Sequence, residues 1–273
     1  MFKGKLIGQG NTADIYSLGD NQVIKLFKDD IPLEMIEREF TMSRIIQTTK
    51  LSIPKVFKII QIDNLYGIVY EYIEGPSLLD QVLSNPSLVK EAAKTISDLH
   101  VDIHKTIISE EAPSQKLIYA RNIQQSNILS NIMKDQIINY LHTLPDDNFL
   151  CHGDFHPGNV LTSSNGLVII DWMTAMRGNQ AADAARTILI LKFGIIPDSI
   201  PNRIRESFNS MRCTLLDEYI NRYLHKSNMT IEQVEQWFLP VAAARLVERL
   251  PMEEKNALLE YINNLLNSSY LMK

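Results

Sequence analysis

The side chains best suited to chemistry lie in residues 151–172, which begin Cys-His-Gly-Asp-Phe-His-Pro-Gly-Asn and end Leu-Val-Ile-Ile-Asp-Trp. An Asn-Gly pair between two apolar runs in this stretch is a strong signal for a β-hairpin. Pairing outward from that turn predicts Val160 opposite Asp171, with Asn159 beside it. An amide oxygen and a carboxylate at the base of a hairpin suit Mg²⁺, which takes few protein oxygens in addition to phosphates and water.

Asp154 lies five residues before Asn159, in a loop that also contains glycine and proline. Such a loop can hold a carboxylate near a metal without making it a ligand. A carboxylate in that place can accept the proton of an attacking hydroxyl, and general-base help of this kind is worth roughly 10²–10⁴ in rate. Positioning and charge neutralisation at phosphate groups would lower the rest of the barrier. These residue types therefore suit a reaction in which a hydroxyl attacks a phosphate group.

Glycines near the N-terminus provide a candidate phosphate-binding turn. Gly8, Gly10, Asn11 and Thr12 lie between two predicted strands. Glycine lets backbone N–H groups approach phosphates closely. Ala13 stands where a G-x-G-x-x-G motif has its third glycine, so an ordinary hairpin turn is the alternative for this motif taken alone.

Lys25 is the candidate cation for the same phosphates. It lies in the apolar strand Val-Ile-Lys-Leu-Phe, where a lysine on the inward face needs an anionic partner. Phosphate oxygens and a glutamate of the following helix would supply one, and the candidates are Glu34, Glu37 and Glu39. The alternative is a surface lysine whose ammonium group reaches solvent.

The pattern His-Gly-Asp-x-x-x-x-Asn, which begins at His152 and is followed by Asp171-Trp, resembles the H-R-D-x-x-x-x-N and D-F-G motifs of protein kinases. The fuller string His-Gly-Asp-Phe-His-Pro-Gly-Asn resembles the aminoglycoside phosphotransferase and choline kinase family. This resemblance implies that Asp154 is the catalytic base and His152 a structural brace. It also implies that Asn159 and Asp171 bind magnesium. Asp183, in a later Gly-x-x-x-x-Asp stretch, would tie down the catalytic loop.

The N-terminal part of the chain extends the resemblance. Val-Ile-Lys resembles the V-A-I-K strand of kinases. Arg-Glu-Phe in the next helix favours Glu39 over the other two glutamates as the partner of Lys25. Residues 70–75 resemble the hinge between kinase lobes, which implies that backbone groups of Glu71 and Ile73 contact the purine of ATP or GTP.

The resemblance and the hydrophobic pattern together predict an α+β, two-lobed, protein-kinase-like fold. An N-terminal lobe, residues 1–75, would hold a five-stranded antiparallel sheet with one main helix and bind the nucleotide. A mostly helical C-terminal lobe, residues 76–273, would hold the catalytic loop and the acceptor site. A Glu-Gly-Pro segment breaks the strand pattern and marks the boundary.

Local patterns place the individual elements. Apolar segments separated by turn-forming residues predict a three-stranded meander in 3–27, and strand character returns in 54–72. Pro32 is expected in the first turn of a helix capped by Asp29 or Asp30. The remaining predictions are helices at Val89–His104 and Ile118–Leu144, a loop between them at 105–117, and helix again over 180–273.

Composition argues against several classes of protein. The 273 residues carry a formal net charge of −5 without a Lys/Arg cluster, so nucleic acid is not expected as a partner. No run of about 18 apolar residues occurs and no signal-peptide stretch is seen, so no membrane span is expected. Cys151 and Cys213 lack C-x-x-C spacing, which predicts neither a disulfide framework nor a zinc site and fits a cytoplasmic location. The oligomeric state stays open.

The acceptor is expected to be a small molecule with a hydroxyl group. A protein kinase has a long activation segment and an A-P-E anchor after its D-F-G motif. Here a helix start follows Asp171 within about ten residues, and no A-P-E occurs. A Ser/Thr protein kinase and a nucleotide-binding pseudokinase are the alternatives, and the presence of the motif lysine, asparagine and both aspartates argues against the second.

Aminoglycoside-, choline-, homoserine-, sugar- and thiamine-like acceptors all remain open. A polycationic aminoglycoside needs an acidic pocket, but residues 151–273 hold 12 Lys/Arg and 13 Asp/Glu, which is nearly balanced. Acidic candidates, for which solvated helix faces are the alternative, are Asp217, Glu218, Glu232 and Glu235; candidates for meeting an anionic acceptor are Arg177, Arg186 and Arg245.

Overall fold

The computed structural model describes residues 4–195 and 202–268. Three ranges lie outside the described residues: 1–3, 196–201 and 269–273. The first falls in the predicted N-terminal lobe, and the other two fall in the predicted C-terminal lobe and in its predicted helical region.

Strands dominate the start of the chain and helices the remainder. In order, the elements are β1 (Leu6–Gln9), β2 (Ala13–Gly19), β3 (Gln22–Phe27), α1 (Leu33–Ile46), β4 (Val56–Ile62), β5 (Leu65–Glu71), α2 (Leu78–Ser84), α3 (Val89–His104), α4 (Gln115–Gln125), α5 (Asn131–Thr143), β6 (Phe149–Cys151), β7 (Val160–Ser163), β8 (Gly166–Ile169), β9 (Met176–Gly178), α6 (Gln180–Phe193), α7 (Asn202–Ser227), α8 (Ile231–Glu235), α9 (Phe238–Arg245) and α10 (Met252–Asn267). Among the described residues, no helix has both the length and the apolar character needed to cross a membrane.

Contacts divide the chain into two compact units. The first unit combines Met1–Asp80 with Gly158–Ala175, and the second combines Gln81–Pro157 with Met176–Lys273. The lobe division predicted at the Glu-Gly-Pro segment stays a prediction. The chain passes between the units just after the loop that follows β6 and again just before β9, so both units receive part of the motif-rich stretch.

An antiparallel sheet of five strands forms the body of the first unit. The strands pair in the order β1-β2-β3-β5-β4, and α1 connects β3 to β4. The predicted meander in 3–27 and the predicted strands in 54–72 supply all five strands. The prediction of an N-terminal antiparallel sheet with one main helix is therefore confirmed.

Helix α1 is held to the sheet by apolar side chains. Ile36 of α1 and Phe27 of β3 belong to one buried cluster, and burying such a side chain contributes about 1.5–3 kcal/mol. The predicted capping by Asp29 or Asp30 is wrong. Pro32 occupies the N-cap position at φ −59, and among the described residues no side chain caps the helix. Proline fixes φ at about −65°, which suits the start of a helix even without a side-chain cap.

Strands β7 and β8 form a separate hairpin in the first unit. Val160 pairs with Ile169, so the predicted pairing with Asp171 is wrong by two residues. The turn explains the difference, because Ser163 pairs with Gly166 and leaves only two residues between the strands. The glycine, at φ +114, is thus the first residue of β8 and not part of the turn itself.

Helices make up most of the second unit, as predicted. Helix α3 has the predicted bounds Val89–His104. The predicted helix Ile118–Leu144 is instead two helices, and α4 begins at Gln115, inside the predicted loop. Two serines cause the break: Ser126 turns the chain to an extended ψ of 124, and the Ser130 side chain accepts a backbone N–H from the first turn of α5.

A short two-stranded sheet sets the position of α6. Strand β6 pairs with β9, with Phe149 opposite Gly178 and Cys151 opposite Met176. Helix α6 begins two residues after β9 ends, and the Asn179 side chain caps it by accepting the N–H of Ala181 at 2.8 Å. The first turn of α6 therefore lies beside the loop that leaves β6.

Gly75→Ala should destabilise the first unit. Gly75 has φ +148, and a Cβ there would lie 1.9 Å from the carbonyl oxygen of Thr162, so the backbone would have to move. We expect a loss of about 2–4 kcal/mol in the free energy of unfolding. Gly166→Ala is the matched control, because its φ is +114 but nothing lies within 4 Å of the added Cβ. Urea denaturation measures both, and equal losses would contradict the steric argument.

Candidate active site

Lys25 on β3 contacts Glu39 on α1. The Lys25 Nζ lies 2.8 Å from Oε1 and 3.0 Å from Oε2 of Glu39. The two residues are only 8% and 1% exposed, which strengthens their attraction because little water screens it. Glu37, the next candidate, is exposed. Lys25 is therefore not a surface lysine, and the glutamate it contacts is the one that the Arg-Glu-Phe pattern favours.

Asp171 places a second carboxylate on Lys25. Its Oδ1 lies 2.6 Å from Nζ. Asp171 follows β8 by two residues and has a left-handed backbone, with φ +63 and ψ 67. This conformation is uncommon outside glycine and costs on the order of 1–3 kcal/mol, so the surrounding structure must impose it. The side chain is still 39% exposed, which leaves the carboxylate accessible to a ligand.

Tyr70 on β5 completes the cluster and was not among the predicted site residues. Its hydroxyl donates to Glu39 Oε1 at 3.1 Å and lies 3.2 Å from the Ser43 Oγ. Lys25 pairs with Ile68 on β5, so Tyr70, two residues further along, shares its face of the sheet. That alternation is the sequence signal that could have identified it.

Charges in this cluster support one another. Burial lowers the pKa of Lys25, but the charges of Asp171 and Glu39 outweigh burial and place it above the ordinary 10.5. Burial raises the pKa of Glu39, and Lys25 opposes that rise. Burial, and then the charge of Glu39, raise the pKa of Tyr70 well above its usual value. The lysine therefore stays cationic and the phenol stays a donor at neutral pH.

Asn159 and Asp171 supply donors that fit magnesium. The carbonyl oxygen of Asn159 accepts the N–H of Ile170 at 3.0 Å, which holds Asn159 next to the residue that precedes Asp171. The two are thus neighbours even though the hairpin register differs from the predicted one. An amide oxygen and a carboxylate are the hard oxygen donors that Mg²⁺ prefers, with phosphates and water completing the shell.

The predicted phosphate-binding turn is the exposed connection between β1 and β2. Gly10 donates its N–H to the carbonyl of Ala13 at 2.9 Å and accepts from the Lys28 Nζ at 2.8 Å. Gly8 pairs with Ile15 in the sheet. Asn11 is exposed and Thr12 half-buried. The turn is therefore held by hydrogen bonds at its second glycine, with Asn11 directly after it at the surface.

The predicted purine-contacting residues lie at the end of β5. Glu71 donates its backbone N–H to the carbonyl of Lys55 at 2.8 Å, so this N–H is already used within the unit. Tyr72 donates its N–H to the carbonyl of Asn21 at 2.8 Å. Ile73 follows directly, outside the strand and half-buried.

The loop after β6, in the second unit, is fixed by Asp183. The Oδ2 atom of Asp183 accepts the N–H of His152 at 2.7 Å, and Oδ1 accepts that of Gly153 at 2.9 Å. Hydrogen bonds to a carboxylate are about twice as strong as neutral ones. The His152 Nδ1 in turn accepts the N–H of Asp154 at 3.2 Å. Both residues predicted to support this loop thus contact its backbone.

The same face of α6 also holds the backbone directly before and directly after Asp154. Asp183, Arg186 and Thr187 share that face because they are three and four residues apart. Arg186 Nε donates to the carbonyl of Gly153, and Thr187 Oγ1 donates to the carbonyl of Phe155 at 2.9 Å. This role of Arg186 and Thr187 was missed, although their helical spacing from Asp183 could have indicated it.

Asp154 keeps an accessible carboxylate within this fixed backbone. Its side chain is 38% exposed, and its Oδ2 lies 3.8 Å from the His156 Nε2. Gly153, just before it, has φ +78, a conformation that glycine adopts without strain. A carboxylate on a fixed backbone with an open side suits the acceptance of a proton.

His100 and His104, one turn apart on α3, also donate to Asp183. Their Nε2 atoms lie 3.0 and 3.2 Å from Oδ2. Burial, and then the neighbouring His104, lower the pKa of His100 to about 3, although Asp183 opposes the shift. Burial raises the pKa of Asp183, but the two histidine hydrogen bonds act against it and hold it well below 3.8. The carboxylate is therefore ionised and His100 neutral at pH 7.

Comparison with known proteins gives consistent matches. A profile described as the Phosphotransferase enzyme family matches residues 3–224. The crystal structure of the aminoglycoside phosphotransferase APH(4)-Ia is similar at a TM-score of 0.67 and 14% identity, over 97% of this chain and 93% of that one. A thermostable mutant of APH(4)-Ia, in ternary complex with AMP-PNP and hygromycin B, gives 0.65 and 13%, over 97% and 93%. The streptomycin-ATP-APH(2″)-IIa ternary complex gives 0.57 and 16%, over 94% and 90%. No curated protein matches the sequence significantly.

A five-stranded antiparallel sheet with one helix, followed by a helical part, is the fold of the protein-kinase-like phosphotransferases. Since the family profile covers well over half of the sequence, the chain belongs to the Phosphotransferase enzyme family and is a small-molecule phosphotransferase. The predicted resemblance, fold class and enzyme class are thereby confirmed.

Glu39→Gln should weaken the hold on Lys25. The buried ammonium of Lys25 would keep its contact with Asp171 but lose the negative charge of the buried Glu39 carboxylate. Removing one partner of a buried ion pair costs about 3–5 kcal/mol. Asp171 compensates in part, so we expect a loss of about 2–4 kcal/mol in the free energy of unfolding. Glu37→Gln, on the exposed side of the same helix, is the control. Similar denaturation midpoints for the two variants would contradict the assignment.

The free energy of unfolding should fall as the pH drops from about 6.5 toward 4.5. Folded His100 has a pKa of about 3 against 6.5 when unconstrained, so in this window the unfolded state binds more protons. Stability then rises with pH, by up to about 1.4 kcal/mol per pH unit from this group. Below about pH 4 the depressed pKa of Asp183 acts in the same direction.

His100→Gln should flatten that dependence, because the variant has no imidazole to titrate. His142→Gln, at an exposed position on α5, should leave it unchanged. Urea denaturation at closely spaced pH values gives the slopes. A slope for His100→Gln equal to that of the original protein would show that His100 is not the group responsible.

Proposed function

We propose that this enzyme transfers the γ-phosphate of ATP to a hydroxyl group of a small molecule. The observation that supports this most is the contact of Lys25 with both Glu39 and Asp171, since it assembles a cation and the carboxylates that phosphate and metal binding need. ATP is proposed over GTP because two of the similar structures are complexes with AMP-PNP and with ATP.

The nucleotide is proposed to bind to residues of the first unit. Lys25 would contact the phosphates through Nζ, held in place by Glu39 and Tyr70. The turn between β1 and β2 would cover the phosphates with backbone N–H groups, and the end of β5 would contact the purine through its backbone. The residues of these two segments are Gly8, Gly10, Asn11, Thr12, Glu71 and Ile73.

Magnesium, held by Asn159 and Asp171, would neutralise charge on the phosphates and help to orient them. The backbone that carries these two residues is held in one conformation. The carbonyl oxygen of Asn159 accepts the N–H of Ile170, and the left-handed conformation of Asp171 sets the direction of its carboxylate. The Lys25 Nζ contacts the same carboxylate, so the lysine and the proposed metal ligand lie close together.

Asp154 is proposed to receive the proton of the acceptor hydroxyl. As that oxygen bonds to the γ-phosphorus, the bond from phosphorus to the bridging oxygen breaks and ADP leaves. The loop backbone around Asp154 is held by His152, Asp183, Arg186 and Thr187, so the carboxylate can stay in one place while remaining accessible. Such fixed positioning is what lowers the barrier in phosphoryl transfer.

The short connection after Asp171 supports a small acceptor over a protein substrate. Only residues 172–179 separate Asp171 from α6, and they form a short 3-10 helix, Trp172–Thr174, and strand β9. A protein kinase needs a long activation segment at this point to bind its substrate. The chain has no length for one.

Charges around the second unit leave the acceptor class open. Arg186 lies 2.6 Å from Glu248, and Arg245 lies 2.7 Å from Glu254, so these arginines already have anionic partners and do not argue for an anionic acceptor. The acidic candidates do not single out a polycation either: Glu218 contacts Lys90 at 3.1 Å, and the others are at least partly exposed. Candidate acceptors are aminoglycoside-, choline-, homoserine- and sugar-like alcohols.

Asp154→Asn should lower kcat by roughly 10²–10⁴ while Mg-ATP still binds, because the isosteric amide cannot take a proton. Asp171→Asn should weaken Mg-ATP binding itself. ADP release with a panel of alcohols measures turnover, and calorimetry measures binding.

Asp135→Asn, at an exposed position on α5, is the control and should keep full activity. Turnover of Asp154→Asn within a few-fold of the original protein would rule out the base assignment. Mg-ATP binding without turnover of any alcohol by the original protein would instead favour a nucleotide-binding pseudokinase.

A further inference from the structure

Asp183 lies at the centre of a fully buried hydrogen-bonded cluster that continues beyond the histidines. The Nδ1 of His100 lies 2.7 Å from the hydroxyl of Tyr219, and the Nδ1 of His104 lies 2.8 Å from the hydroxyl of Tyr223. Both tyrosines are on α7, four residues apart, and are at most 1% exposed. Two parallel Tyr–His arms thus run from α7 through α3 to one carboxylate.

Hydrogen-bond accounting assigns a direction to each arm. A neutral imidazole has one N–H and one acceptor nitrogen. If each tyrosine hydroxyl donates to Nδ1, each Nε2 carries the proton and donates to Asp183, and every group is satisfied without a further charge. The Met229 sulfur, 3.9 Å from the Tyr223 hydroxyl, is a weaker and more distant acceptor than Nδ1. The raised pKa of Tyr223, caused by burial and then by Asp183, keeps this hydroxyl protonated.

We propose that His104 and Tyr223 are positioning residues for the loop that carries Asp154. Tyr223 fixes the tautomer of His104, His104 Nε2 donates to the Asp183 Oδ2, and that same oxygen accepts the N–H of His152. Without the tyrosine hydroxyl, the imidazole proton can move to Nδ1 and leave a lone pair facing the carboxylate. The loop would then lose part of its anchor although nothing that touches it has changed.

The expected effect on kcat rests on the proposed role of Asp154. The expected effect on the loop backbone does not. Changes in the His104–Tyr223 arm should affect the chemical step and leave nucleotide binding unchanged. The reason is that the proposed nucleotide-binding residues are in the first unit and do not belong to the Asp183 cluster. We therefore expect a change in kcat with an unchanged KM for ATP. Because a fraction of unfolded protein would also lower kcat without changing KM, kcat is calculated per mole of folded enzyme.

A metal ion is the competing occupant of this cluster. One ring nitrogen from each histidine and a carboxylate oxygen of Asp183 lie within 4.8 Å of one another, and the nitrogens nearest that carboxylate are the Nε2 atoms. A metal would require both Nε2 atoms to be unprotonated, which reverses the tautomers assigned above and replaces two N–H donors to Asp183. Since the hydrogen-bonded arrangement already satisfies every group, it is the one we adopt. Stoichiometric zinc in protein purified without chelators would overturn it.

The test compares single-group changes in the full chain. Tyr223→Phe removes only a hydroxyl, and His104→Leu removes the donor to Asp183. His104→Gln keeps an N–H donor at comparable reach and should restore part of the activity. Tyr261→Phe is the matched control, because this tyrosine packs on Phe193 in the same unit and has no part in the cluster. The readouts are kcat, KM for ATP, and NMR hydrogen exchange of the His152 and Gly153 amides.

We expect Tyr223→Phe to lower kcat by about 3- to 10-fold, as the loss of one buried hydrogen bond implies. KM for ATP should stay within two-fold of its original value, roughly the error of such a comparison. Exchange of the two amides should speed up by a similar factor, and Tyr261→Phe should change none of these. Unchanged kcat and exchange in both Tyr223→Phe and His104→Leu would overturn the inference. If Asp154→Asn stays active, the proposed function fails, while the exchange data still decide whether the arm holds the loop.

Discussion

A fully buried carboxylate remains ionised only where donors surround it, and this requirement organises the second unit. Asp183 accepts N–H groups from His100, His104, His152 and Gly153, which come from α3 and from the loop after β6. Displacing the loop would leave a buried charge short of donors, which costs several kcal/mol. The helix that carries Asp183, the helix that carries the histidines and the loop must therefore keep one arrangement.

The first unit meets the same requirement with the opposite charge. Lys25 lies in an apolar strand and needs carboxylates, so β3, α1 and the segment after β8 are brought together by its contacts with Glu39 and Asp171. Tyr70 adds a neutral donor to the same glutamate. In both units a buried ion, too costly to leave unpaired, fixes the place of residues far apart in sequence.

In both units the supporting carboxylates are buried, and the carboxylates proposed to react are accessible. Glu39 and Asp183 have almost no exposed surface, whereas Asp171 and Asp154 are 39% and 38% exposed. The buried residues hold backbone and charge, whereas the two half-exposed carboxylates are accessible to a ligand. This division explains why the supporting network can be extensive, reaching Tyr223 on α7, without obstructing the groups that would react.

The sequence by itself determined the fold class, the sheet-then-helix order and the residues of the motif. Strand alternation, helical periodicity and turn residues are local properties, and the residues proposed as base and metal ligands are recognised by their types and by their spacing on one short loop and hairpin. Even locally, the hairpin register was wrong by two residues, because the Asn-Gly signal does not say which of its residues begins the strand. Tertiary structure alone decided that Asn159 stays beside Asp171 and that Tyr70 joins the lysine cluster. It also decided that Arg186, Thr187 and the histidine–tyrosine arms hold the loop. Those contacts depend on which faces of distant elements meet, and no spacing along one segment specifies the partner that packs against it.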